Sequence, residues 1–186
     1  MTTTTIERET LTGTWTLDPS HSRLGFAARH AMVATVRGSF QDVSGSLRLD
    51  AADPVRSSAE VTIQAASIDT GVADRDAHLR SGDFLDVEHF PTLRFRSTSV
   101  RADSADDYVL SGELTIRDVT RPVEISISHL GASTDPFGNL RAGFEGETVI
   151  SRRDFGLTWN VALETGGFLV GDKIKIALDI SAIKAA

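Results

Sequence analysis

Apolar and polar residues alternate along most of this chain, and that period of two constrains the fold more than any other feature. Leu24, Phe26, Ala28 and His30 fall on one side of their segment, while Arg23, Gly25, Ala27 and Arg29 fall on the other. An extended strand points successive side chains to opposite faces, so a segment of this kind reads as a strand with one buried face. The split recurs in Val43, Gly45, Leu47 and Leu49, in Val61 and Ile63, in Leu93 and Phe95, and in Leu110, Gly112, Leu114 and Ile116. It continues through Val123, Ile125 and Ile127, then Phe144, Thr148 and Ile150, then Ile174, Ile176, Leu178 and Ile180. Strands with one wet face belong to antiparallel sheets, and about eight or more at short spacing form a sandwich or a barrel. Turn chemistry lies between them, at Asp53-Pro54, at Gly131 and through Asp135-Pro136-Phe137-Gly138-Asn139.

Residues 70–91 break the alternation and carry helix punctuation. Asp74 is placed to cap a short helix, Asp76 to complement its first turn, Arg80 its last, and Gly82 to end it in a left-handed conformation. A second turn through Phe84, Leu85 and Val87 runs to the stop at Pro91. The expectation is one helical insert at about 73–90, within a single domain over 13–186, preceded by a polar, unstructured tail over 1–12. No internal repeat or linker divides the 186 residues.

Composition removes several classes of function. Nineteen Lys and Arg against 26 Asp and Glu leave a formal charge of −7, which repels phosphate backbones, so no nucleic-acid partner is expected. Without cysteine there is neither a disulfide nor a thiolate metal site. No apolar run approaches the ~20 residues of a membrane-spanning helix. The N-terminal segment carries Glu7 and Glu9 where a secretory signal is basic and then apolar, so the reading is a cytoplasmic protein.

Motifs for catalysis are weak. The five histidines show no metal-ligand spacing, so no metal or cofactor is expected. There is no G-x-S-x-G elbow, and Ser20-His21 are mere sequence neighbours. Gly166 to Lys173 resembles a phosphate loop but has Asp172 at the lysine position, and a hairpin connection is the better reading. Arg75-Asp76-Ala77-His78-Leu79 offers proton-transfer groups, or equally anchors for the helix. The inward positions mix Ala28, Gly45, Ala65 and Gly112 with Phe26, Phe40, Phe95 and Phe144. A barrel of about eight strands can be packed solid or hold one ligand, and this pattern fits both.

Several segments in order resemble the motif set of the YceI-like family: Trp15 to Ser22 with Asp18 and His21, Val36-Arg-Gly38-Ser-Phe40, Ser67-Ile-Asp-Thr70, Arg75-Asp-Ala-His78-Leu79, Asp83-Phe84-Leu85-Asp86, Val119-Thr-Arg121-Pro-Val and Arg153-Asp-Phe155-Gly156. The resemblance runs from about residue 14 to the C-terminus. It implies an all-β, extended antiparallel barrel of lipocalin-like type that encloses an apolar channel for a polyisoprenoid or similar lipid, such as a quinone or a polyprenyl phosphate. It also implies a homodimer in several members and no catalytic activity. Taken with strand alternation, it points to Phe26, Phe40, Leu47, Ile63, Phe95, Leu114, Ile125, Phe144 and Ile176 as lining, with Phe84 and Leu85 covering one end. His30, Asp76 and His78 are candidates beside a polar head group. Two other readings stay open: an enzyme acting on an apolar isoprenoid-type substrate with His30, Asp76 or His78 as acid or base, and a filled barrel that binds a protein on its outer face.

Overall fold

The computed structural model describes residues 8–185. Eleven strands appear among them: β1 (Gly13–Leu17), β2 (Arg23–His30), β3 (Ala34–Phe40), β4 (Val43–Leu49), β5 (Ser58–Gln64), β6 (Ile68–Asp69), β7 (Thr92–Ala102), β8 (Asp107–Ile116), β9 (Val119–Thr134), β10 (Leu140–Ser151) and β11 (Val170–Lys184). One helix, α1 (Ala73–Arg80), lies between β6 and β7.

Every strand pairing is antiparallel, and the first six strands combine into three bent lanes. β1 and β2 continue one another across a 3-10 turn at Pro19–His21, and both lie along β11. β4 pairs with β1 while β3 pairs with β2, so β3 and β4 form the second lane. β5 and β6 complete the third against them. β7 to β11 follow as a meander of five, and the pairing of β1 with β11 closes a barrel of eight lanes. Closure resolves the choice between sandwich and barrel, although β6 meets only Ser39 and Phe40 and leaves one side of β3 unpaired over residues 34–38.

The buried face of the alternation points inward. Leu17, Leu24, Ile63, Leu93, Phe95, Leu114, Ile116 and Ile125 are buried, and Phe26, Val61, Leu110 and Leu178 pack on them from half-buried positions. A smaller cluster of Leu11, Trp15, Ala142 and Ala182 seals the end where the chain enters.

Three local expectations are corrected. The polar tail expected over 1–12 lies outside the described residues as far as residue 7, but Arg8–Leu11 forms a 3-10 turn and Leu11 is buried. Its physical reason is Trp15, fully buried, whose indole Nε1 donates to the Leu11 carbonyl at 2.9 Å and so needs that turn in place. Asp74 does not cap α1: the cap position is Val72, and Asp74 sits inside the first turn. Gly82 does not end the helix in a left-handed conformation; Ser81 ends it in an extended one, and its hydroxyl donates to the His78 carbonyl at 2.7 Å. Both termini are held by side chains tied to β6 and the residues that flank it. Arg75 donates to Thr70 Oγ1 at 2.7 Å and to its carbonyl at 3.0 Å, and Arg80 reaches the carbonyls of Ala66 and Ile68, each at 2.7 Å. Among the described residues no helix is long and apolar enough to cross a membrane.

Candidate functional site

The inward faces do not close on one another. They leave a lumen of two chambers, of about 340 Å³ and 190 Å³. The larger lies at the α1 end, lined by side chains of α1 and of strands that include β2, β3, β8, β10 and β11. The smaller lies at the end marked by Leu11, Leu49 and Pro54.

Hydrocarbon dominates the larger chamber. Phe26, Phe40, Ile63, Leu114 and Ile176 form its wall, while Phe95 and Ile125 border both chambers. Leu47 and Phe144 line the smaller one. The alternation of strands thus brings all nine of these expected lining residues onto the lumen. Phe84 and Leu85, just after α1, are buried and face the larger chamber, as residues covering one end must.

The three polar candidates separate. His30 ends β2 at the border of the larger chamber and is exposed. His78 lines that chamber, stacked edge-on against Trp159 (centroids 4.6 Å apart) and Phe84 (5.1 Å), with Nε2 at 2.8 Å from an Asp83 carboxylate oxygen. Asp76 does not line the lumen. Buried behind the helix, its Oδ1 accepts from the Thr70 amide at 2.9 Å and from the Thr70 hydroxyl at 2.5 Å. A buried carboxylate needs such donors, and these bonds make Asp76 an anchor of α1. Among the described residues no three His, Asp or Glu gather into a metal site.

The segment between β10 and β11 completes the cover and had no periodicity to announce it. Leu157 and Trp159 both line the larger chamber, and Trp159 packs on Phe84 at 5.3 Å. Only their spacing of two, following the Arg153-Asp-Phe155-Gly156 motif, hints at a shared face. Arg152 fixes this segment. It is 3% exposed and donates to four backbone carbonyls: Leu157 at 2.6 Å, Trp159 at 2.9 Å, Gly171 at 3.0 Å and Val170 at 3.2 Å. Burial and the adjacent Arg153 draw its pKa down, with Asp172 acting the other way, yet a guanidinium stays charged. Further on, Ala162 bridges Phe168 across left-handed Gly166 and Gly167, so the GGFLVGDK stretch is a hairpin connection.

Arg141 organises the opposite end. It donates to Asp18 at 2.6 Å and to Asp135 at 2.7 Å, joining the bend between β1 and β2 to the β9–β10 loop. Asp18 also accepts from the Ser20 amide and contacts His21 Nδ1 at 2.7 Å. The Arg141 bond in particular, aided by His21 and Ser20 and opposed by burial, lowers the Asp18 pKa to about 2.

A family model of the YceI-like domain matches residues 15–182. The chain belongs to the YceI-like family. Among relatives, a UPF0312 protein of Pseudomonas paraeruginosa is 44% identical over 139 residues, which cover 74% of this chain and 71% of the relative. The YceI-like barrel is also similar to the crystal structure of Burkholderia cenocepacia BcnA, with a TM-score of 0.76 and 22% identity over 89% of this chain and 98% of that one. A polyisoprenoid binding domain from Saccharophagus degradans, implicated in plant cell wall breakdown, matches with a TM-score of 0.68 and 14% identity over 92% of this chain and 98% of its own. These two likenesses concern the fold.

Proposed function

We propose that this YceI-like barrel binds the apolar chain of an isoprenoid-type lipid in its lumen and carries it out of contact with water. The observation that carries the reading is the lumen itself, two chambers walled by Phe26, Phe95, Leu114, Ile125, Phe144 and Ile176 in place of a filled core. Apolar surface withdrawn from water yields about 25 cal/mol per Å², so a long hydrocarbon chain in such a wall offsets the ordering it suffers. The solved relative described as a polyisoprenoid binding domain has the same barrel, which supports the choice of ligand class.

Binding without turnover is the better reading of the polar groups. Asp76 is engaged by Thr70 behind the helix, and His78 leans on Trp159 with its outer nitrogen at Asp83. A homodimer belongs to the same reading and is checked by sedimentation equilibrium.

The test is uptake by protein stripped of bound lipid. Incubated with vesicles containing an isoprenoid quinone and then separated from them, the protein should carry the quinone in its soluble fraction, chemically unchanged. Recovery of lipid-free protein would contradict binding, and recovery of an altered quinone would favour an enzyme.

A further inference from the structure

Two neighbouring loops turn apolar side chains outward beside the larger chamber. The tip of the β2–β3 hairpin is Ala31-Met32-Val33, where Met32 is exposed and Val33 is 84% exposed. Next to it runs the 161–169 hairpin, with Val161 and Phe168 exposed. The loops form one surface: the Ala31 amide donates to the Leu169 carbonyl at 2.7 Å, and a methyl on Gly167 would stand 2.5 Å from Met32 Sδ. Among the described residues that line the larger chamber, Arg29 and His30 alone are exposed, so its border comes to the surface at the end of β2, directly before this tip. Leu169 and Trp159 line it too, close in sequence to Phe168 and Val161.

The tip presents its methionine from a strained backbone. The Val33 amide donates to the His30 carbonyl at 3.2 Å, and both residues inside that turn, Ala31 (φ 46°) and Met32 (φ 63°), are left-handed. Turns with positive φ at both central positions strongly favour pairs such as Asn-Gly, because a left-handed backbone crowds a side chain. Asn-Gly here would be relaxed and polar, whereas Ala-Met is strained and apolar. Exposed apolar residues gathered on one patch mark a site of contact with a protein or a membrane. At this tip the surface chemistry overrides the turn chemistry.

We infer that this rim docks the barrel on the surface of a lipid bilayer, with Met32, Val33, Val161 and Phe168 entering the head-group region beside the border of the larger chamber. The inference rests on the lipid-binding reading above and adds the route of loading: a prenyl lipid scarcely dissolves in water, so its source is a membrane. The contact is apolar in the main. Arg153 lies 5.8 Å from the Phe168 ring centroid but also 3.9 Å from Asp172, and Glu164 belongs to the same hairpin, so no excess of charge selects anionic lipid. A second copy of the chain suits this surface less, because a stable interface takes about 20–30 residues from each side and the rim is two loop tips with four apolar side chains.

The experiment sediments lipid-free protein with phosphatidylcholine vesicles that contain a long-chain prenyl quinone, and follows protein in the pellet and quinone released into the supernatant. A quinone with one prenyl unit, soluble enough to be added without vesicles, reports binding alone. Wild type should bind the vesicles at low and at high salt and load the quinone. Val33→Asp should lower vesicle binding and the rate of loading on the order of tenfold, with unchanged affinity for the short quinone. Ala31→Asn combined with Met32→Gly relaxes the turn, so it should raise the thermal midpoint and still lose vesicle binding, which separates docking from folding. Phe137→Ser removes a residue that is 89% exposed, from the β9–β10 loop at the opposite end, and should change neither measurement. Rim variants that bind vesicles and load like the wild type, an equal loss in Phe137→Ser, or vesicle binding abolished by salt would overturn docking with lipid binding intact. Wild type that takes up the short quinone, ignores vesicles and forms dimers split by Val33→Asp would assign the rim to a second copy and overturn docking as well. Failure to bind the short and the long quinone alike would remove the lipid-binding reading itself.

Discussion

Phe26 rests the tip of its ring on the bare Cα of Gly38, its cross-strand partner on β3, so closely that a methyl at 38 would lie 2.5 Å from Phe26 Cζ. The same methyl would come within 2.8 Å of the Asp69 carbonyl oxygen, which belongs to the backbone and cannot turn aside. Gly38→Ala should therefore lower stability by about 1–3 kcal/mol, the usual effect of overpacking a fitted core. A shift of the urea midpoint with unchanged slope checks this.

Asp18 and Arg141 predict an acid limit. The Asp18 pKa is lowered to about 2, chiefly by Arg141, from an ordinary value near 3.8. A depressed carboxylate stabilises the fold above its unfolded pKa and loses that contribution as pH falls, here between about pH 4 and pH 2. Its size is on the order of 1 kcal/mol after solvent screening. Asp18→Asn should lower the melting temperature at neutral pH and flatten the acid limb over that window; an unaltered pH profile would show that the pair adds nothing.

Arg152 carries the largest predicted loss among the polar residues. Arg152→Met removes donors from four carbonyls around the 157–171 segment and should destabilise by at least about 3 kcal/mol, since bonds to a charged donor contribute about 1.5–3 kcal/mol each and buried acceptors are left unpaired. Arg152→Lys should not restore stability, because an ammonium cannot span four acceptors as the planar guanidinium does. Emission from Trp159, whose carbonyl is one of the four, should move to longer wavelength in both variants.

Anchor and lining roles separate by two measurements on single variants. Asp76→Asn should reduce stability by about 1–3 kcal/mol through its bonds to Thr70, while quinone affinity stays within about twofold. Phe84→Ala should do the reverse in emphasis, lowering affinity on the order of tenfold by removing part of the cover over the larger chamber. Equal effects of the two substitutions on affinity would place Asp76 at the ligand.

Much of this architecture was legible because it is written in a local period. Phe26, Ile63, Leu114 and Ile176 face the lumen for the same reason that they alternate with Ala27, Thr62, Thr115 and Lys175. What alternation does not encode is how lanes join and at what level their residues meet. The bends that make β1 and β2 one lane depend on pairing with β11, 140 or more residues away, and the seating of the Phe95 ring over Gly112 depends on the stagger between β7 and β8. The burial of Asp76 was not legible, because a polar residue on a short helix is ordinarily solvated and it is the Thr70 amide and hydroxyl that satisfy its carboxylate. Trp159 sits in irregular chain held by Arg152, where no period exists to read.

The most direct test is mass spectrometry of the intact protein, purified without detergent and sprayed from volatile buffer, followed by analysis of its organic extract. The expected result is a species heavier than the polypeptide by one prenyl lipid, which is released on extraction. Polypeptide that is always bare, and that stays bare after exposure to prenyl quinones, would contradict it.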